Sequence, residues 1–116
     1  MLRIKNRHIS INRGEEGAVR LVSNVPFSVG DQFVLSVVEA GDMTKVVQTF
    51  TYTVDTENVV QVIPITKEQN RFAPVSNKEI VYWYEIELNG NTTLVGYDSY
   101  GPKLFTVYPE VIGGSE

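Results

Sequence analysis

Two glutamates and one histidine are the residues of this chain that most resemble the parts of a catalyst. Glu85 and Glu87 stand two apart. On a strand that spacing puts both carboxylates on one face, roughly 6.5–7 Å from each other, a separation usable for acid and base work on a glycosidic bond. Their neighbours argue against it. Tyr84, Ile86 and Leu88 alternate with the two glutamates, so the pair reads as the solvent face of a half-buried strand. Two carboxylates in water have no reason to separate their pKa values. His8 is the only histidine, and a Ser-His-Asp arrangement would have to use it. It falls on an alternating segment in which His8, Ser10 and Asn12 face outward and Ile9 and Ile11 inward, the pattern of a surface histidine. There is neither a G-x-S-x-G elbow nor a G-x-x-x-x-G-K-[ST] loop. The absence of cysteine excludes disulfides and thiolate zinc sites. Asp42, Asp55 and Asp98 each stand nearly alone in turns, without the dense oxygen spacing of a calcium loop. Turn aspartates commonly bond their own backbone. No catalytic residue, metal ligand or cofactor site is expected.

The aromatic residues are a different matter. Tyr82-Trp83-Tyr84 is followed by Tyr97, Tyr100, Phe105 and Tyr108. Alternation turns Trp83 away from the side that buries Tyr82 and Tyr84, into a second packed layer or an interface. Tryptophan is costly to leave in water. Exposed aromatics on a sheet anchor partner proteins or stack on sugars. Trp83, Tyr97, Tyr100 and Tyr108 are therefore the candidate interaction surface.

The elements that carry these residues are strands. Phe33, Leu35 and Val37 alternate with Val34, Ser36 and Val38, and Phe50, Tyr52 and Val54 with Thr49, Thr51 and Thr53. Strands are expected at 2–5, 8–12, 18–23, 32–39, 45–54, 58–65, 79–88, 92–97 and 103–108, the first two as separate pieces or one bent strand. Arg13-Gly14 reads as a turn with positive φ at the glycine, and Asn89-Gly90 is the strongest hairpin signal. Phe27 and Val29 are expected to plug one end of the core, and Pro64 marks its strand as an edge or a bulge. Thr66-Lys67-Glu68-Gln69 has the spacing of a capping box, predicting one helical turn near 66–69 that Pro74 keeps short. About eight short strands joined by hairpin turns predict an all-β antiparallel sandwich, with a closed barrel as the competing architecture. The length of 116 residues fits one domain over 1–111, with 112–116 as a flexible tail.

The net charge is −4, and no basic run interrupts it: Glu15 and Glu16 follow directly on Arg3, Lys5, Arg7 and Arg13. Nucleic acid is not an expected partner, since its binders concentrate a basic face. No apolar stretch approaches the length of a membrane span, and Met1-Leu2-Arg3-Ile4-Lys5 begins no signal peptide. A protein made in the cytosol and staying in solution is expected.

The order of the segments resembles that of the immunoglobulin-like N-terminal domains of upper-baseplate and related tail or head-fibre proteins of phages and prophages of Firmicutes. The phrases that carry the resemblance span nearly the whole chain. They are Ile4-Lys5-Asn6-Arg7-His8-Ile9-Ser10-Ile11-Asn12-Arg13-Gly14-Glu15, Gly30-Asp31-Gln32-Phe33-Val34-Leu35-Ser36-Val37, Ile65-Thr66-Lys67-Glu68, Tyr82-Trp83-Tyr84-Glu85-Ile86-Glu87-Leu88, and Phe105-Thr106-Val107-Tyr108-Pro109-Glu110-Val111. The departures are Glu15-Glu16 after Arg13-Gly14, Glu85 in place of an aspartate, and Asn77-Lys78-Glu79 where a glycine is usual. The resemblance implies an immunoglobulin-like fold and a non-enzymatic virion component that assembles with other structural proteins, homo-oligomers included. Two readings stand beside it: a carbohydrate-binding module using Trp83, Tyr97 and Tyr100, and a small-barrel enzyme using Glu85 and Glu87.

Overall fold

The computed structural model describes residues 1–111. Nine strands follow the chain: β1 (Arg3–Lys5), β2 (His8–Asn12), β3 (Gly17–Phe27), β4 (Gln32–Glu39), β5 (Asp42–Thr53), β6 (Asn58–Ile65), β7 (Ile80–Leu88), β8 (Thr92–Val95) and β9 (Lys103–Tyr108). The tail expected at 112–116 lies outside the described residues.

Alternation decides which side chains meet. Phe33, Leu35 and Val37 of β4, Phe50 of β5, Tyr82, Tyr84 and Ile86 of β7, and Phe105 and Val107 of β9 all point to one side and are buried. They belong to one sheet in the order β1-β2-β9-β7-β4-β5, with β8 also on β7. Val19 of β3 and Ile63 and Ile65 of β6 close over them from a separate two-stranded sheet. The result is an all-β sandwich. Antiparallel β4, β7 and β9 face the pair β3 and β6. Aromatic rings fill its middle: Phe105 stacks on Phe50 at 6.2 Å and meets Phe72 at 6.0 Å and Tyr84 edge-on at 6.3 Å.

The sandwich is not wholly antiparallel. β2 lies parallel to β9, Ile9 beside Phe105 and Asn12 beside Tyr108. A tight turn forces neighbours to run oppositely. These two strands are joined by most of the domain, so no turn sets their direction. Two strand ends also differ from expectation. β3 runs on to Phe27 beyond the expected 18–23, and β5 begins at Asp42 through register shifts that leave Val47 unpaired.

Polar turns behave as their residues require. Asn89 and Gly90 both have positive φ, 55° and 72°, as a type I′ hairpin needs. The Asn6-Arg7 turn has the same sign at both residues, 51° and 66°, without a glycine to announce it. The capping box forms: Thr66 N–H donates to Gln69 Oε1 at 3.1 Å, and Gln69 N–H donates to Thr66 Oγ1 at 3.2 Å. The turn it starts is a 3₁₀ turn at Gln69–Arg71, displaced from the expected 66–69. Phe27 does plug the core, edge-on to Phe33 at 4.9 Å. Val29 does not; it is exposed in the loop between β3 and β4.

Candidate interaction surface

The inner faces of the strands are consumed by the core, so any function carried by β7 must come from its outer face. There Val81, Trp83, Glu85 and Glu87 follow one another. Trp83 pairs across β4 with Val38 and across β9 with Leu104. Val38 is fully buried on this side of the sheet, outside the inter-sheet cluster, between Trp83 and Val46 of β5. Trp83 thus covers a small second apolar layer, and its own edge meets Tyr97 with ring centroids 5.8 Å apart and planes at 62°. Tyr97 remains 61% exposed, and Val46 and Val81 beside this layer are exposed as well.

The four aromatic candidates do not form one patch. Trp83 and Tyr97 touch. Tyr108 lies on the same sheet face two alternations beyond Leu104, about 13 Å along the strand. Tyr100 is apart from them. It sits 93% exposed in a turn closed by hydrogen bonds between Asp98 and Gly101, beside a cleft lined by Asn6, Arg7, His8, Asp98 and Lys103. Val46 and Val81 were not singled out in the sequence, where the doubled Val46-Val47 and the alternation of Val81 with Trp83 are their only trace. Nothing local indicated that Val38 and Leu104 flank Trp83.

The groups with possible chemistry have structural employment. His8 is exposed, and its Nδ1 accepts the Leu104 N–H at 3.0 Å. Burial, with Glu87 beside it, raises the Glu85 carboxyl above its ordinary value. Yet Gly96 packs over Glu85, and neither glutamate lines any of the clefts described here. Tyr84 donates its hydroxyl hydrogen to the Arg7 carbonyl, and burial pushes its phenol up to about 12. It therefore stays a donor at any working pH. Asp42 accepts from Thr44 N–H and Oγ1–H, an ordinary turn arrangement. No group of three metal-ligating side chains occurs among the described residues.

Asp98 is held by its neighbours. The buried Lys103 ammonium donates to it at 2.9 Å and the Tyr100 N–H at 2.9 Å. The Lys103 bond first, then the Tyr100 amide, hold its carboxyl below the usual range. A folded pKa below the unfolded value of about 3.9 adds stability above that value, lost as pH falls through the folded one. The urea midpoint, followed by Trp83 fluorescence, should therefore fall as the pH drops below about 4. Asp98→Asn should flatten that fall; an unchanged pH profile would remove this role.

Two of the phrases quoted above meet in space. Arg13 Nη1 lies 2.6 Å from Glu110 Oε1, and Arg71 Nη1 lies 3.0 Å from Glu110 Oε2. Gly14, with φ 82°, is close beneath them: a Cβ there would stand 2.9 Å from Arg71 Nη2. The Arg-Gly and Pro-Glu phrases are a clamp between the chain's early and late strands. Gly30-Asp31 is structural too, since Asp31 accepts from Ser28 N–H and from Asn89 Nδ2 of the β7–β8 hairpin.

No protein-family model matches this chain, and no curated protein or solved structure matches it either.

Proposed function

We propose that this protein is a non-enzymatic assembly module that works by protein–protein contact through the outer face of its larger sheet. The observation that carries the reading is the exposed apolar ground around Trp83: Tyr97 on its edge, Val46 and Val81 beside it, on a rigid sheet. Interfaces concentrate their energy in such aromatic anchors, packed by residues that exclude water. The resemblance of the strand phrases to baseplate and fibre domains supports a place among the structural proteins of a phage or prophage particle, made in the bacterial cytoplasm and carried in the virion. The 62° tilt between Trp83 and Tyr97, and the separate position of Tyr100, favour a protein partner over a sugar, which stacks best on one flat platform.

The test is association with particles. Genes for capsid and tail proteins should flank the coding sequence. The tagged chain should band with particles in a density gradient. Tyr97→Lys and Val46→Lys, both at exposed positions, should cut that association about tenfold or more, the scale of one interfacial hot spot, while the unfolding midpoint holds. A chain found only in the free fraction, or surrounded by metabolic genes, would end this reading. A glycan array signal lost in Tyr97→Ala would replace it with sugar binding.

A further inference from the structure

The smaller layer of the sandwich is open along one side. Among the described residues β3 pairs with β6 and with no other strand, so one edge of an eleven-residue strand presents backbone donors and acceptors that no ladder among them satisfies. β6 has a free edge as well, but Pro64 interrupts it, the usual way to blunt an edge. On β3 no proline occurs before Pro26. Val22 and Val25 on this strand are 62% and 68% exposed. Two strands make a marginal sheet, and a third is the ordinary remedy.

A cleft of about 340 Å³ runs beside that edge, lined by Val19 and Leu21 of β3, Ile86 of β7, and Leu94 and Val95 of β8. It exists because β8 and β9 share one side of β7, β9 meeting Tyr84 and β8 meeting Ile86, and neither pairs with β3. Its apolar lining lies between the sheets, where alternate side chains of an added strand would point. Its charge has one sign. Arg7 and Arg20 border it and no carboxylate does, in a chain of net charge −4. Neither arginine is in an ion pair among the described residues. Asp98, which feels the Arg7 charge, is already bonded to Lys103.

We propose that the β3 edge takes an extended segment of another protein as a third strand, its apolar side chains alternating into the cleft and its carboxylates meeting Arg20 on the outer side. Main-chain hydrogen bonds supply affinity in such strand addition, and alternate side-chain pockets supply specificity. Arg20 lies exposed on the outer side of β3, so a segment alternating valine with aspartate matches both faces at once. The site is separate from the Trp83 face and does not depend on the function proposed for it.

The probe is a labelled peptide of about eight residues alternating valine and aspartate, titrated against the whole chain and read by fluorescence anisotropy. Saturable binding below about 1 mM is expected, with new hydrogen-exchange protection over Val19–Ser23. A lysine-for-aspartate peptide should bind at least tenfold more weakly. Arg20→Glu should reverse that preference, and N-methylation of alternate peptide amides should abolish binding. Tyr97→Ala, on the opposite face of the larger sheet, should leave the affinity unchanged, so failure here and failure of the assembly reading can be told apart. No saturation, equal binding of the lysine peptide, or indifference to N-methylation would overturn the proposal. So would a concentration-dependent dimer dispersed by Val22→Lys, which would give the edge to a second copy.

Discussion

Replacing Phe105 with alanine should lower the unfolding free energy by about 3–5 kcal/mol, the range for deleting a buried phenylalanine. Phe105 is fully buried, and its ring is where the layers converge: Phe50 from β5, Phe72 from the crossover and Tyr84 from β7 all pack against it. Phe50 and Tyr84 are themselves held by strand pairing, so the site has little freedom to collapse around the lost ring. The transfer and cavity terms then add. Phe105→Leu keeps most of the volume and should cost less than half as much. Urea denaturation followed by the single tryptophan, Trp83, measures both. The midpoint should move while the slope against denaturant stays constant, because the surface exposed on unfolding is nearly unchanged. A loss for Phe105→Ala below about 1.5 kcal/mol would show that the aromatic centre repacks, contrary to the rigid arrangement described here.

Asn70→Ala should cost about 1–3 kcal/mol, although it removes only a small polar side chain. Asn70 is completely buried. Its Nδ2 donates to the Asn12 and Glu15 carbonyls, each at 2.7 Å, and its own carbonyl accepts the Gly14 N–H at 3.0 Å. This one residue fastens the crossover to the turn between β2 and β3. Alanine leaves the Glu15 carbonyl without its donor, while the Asn12 carbonyl keeps the Glu15 N–H at 3.1 Å; one unpaired carbonyl costs roughly 1–3 kcal/mol. Asn70 Oδ1 has no partner of its own, so its removal offsets part of the loss. Asn70→Asp tests the direction of the bonds, since it keeps the shape and replaces the amide donor with an acceptor. Burial beside two carbonyls would raise the introduced carboxyl above its unfolded pKa. The destabilisation should then be largest at neutral pH and ease as pH falls through the raised value. If Asn70→Asp matched wild type at pH 7, the amide would not be donating as described.

Much of the sandwich was legible in the chain. β4 and β7 are long, and their inward and outward residues follow the alternation residue by residue, Val38 being outward yet buried beside Trp83. The polar side chains at Asn89-Gly90 and at Thr66 to Gln69 form the local bonds that their spacing implies. Such features are decided between residues a few positions apart. The candidate surface was half legible. Alternation put Trp83 on the outer face, but it could not bring Tyr97 to its edge or carry Tyr100 away to a separate turn. Those positions depend on how the Gly96–Pro102 segment crosses from β8 to β9. Asn70 gave no sign at all, because its partners Asn12 and Glu15 are more than fifty residues away in the chain.

The sequence by itself determined the strand class, the sites of the tight turns and which side of β4 and β7 is apolar, because a period of two is set by the pleat of the backbone alone. Only the tertiary structure decided which strands are neighbours. It placed β2 parallel to β9, joined Arg13 to Glu110 across 97 positions, and left the edge of β3 open. The physical reason is that pairing order is chosen by contacts between segments far apart in the chain, whose loop-closure entropy and shared core volume no local pattern records.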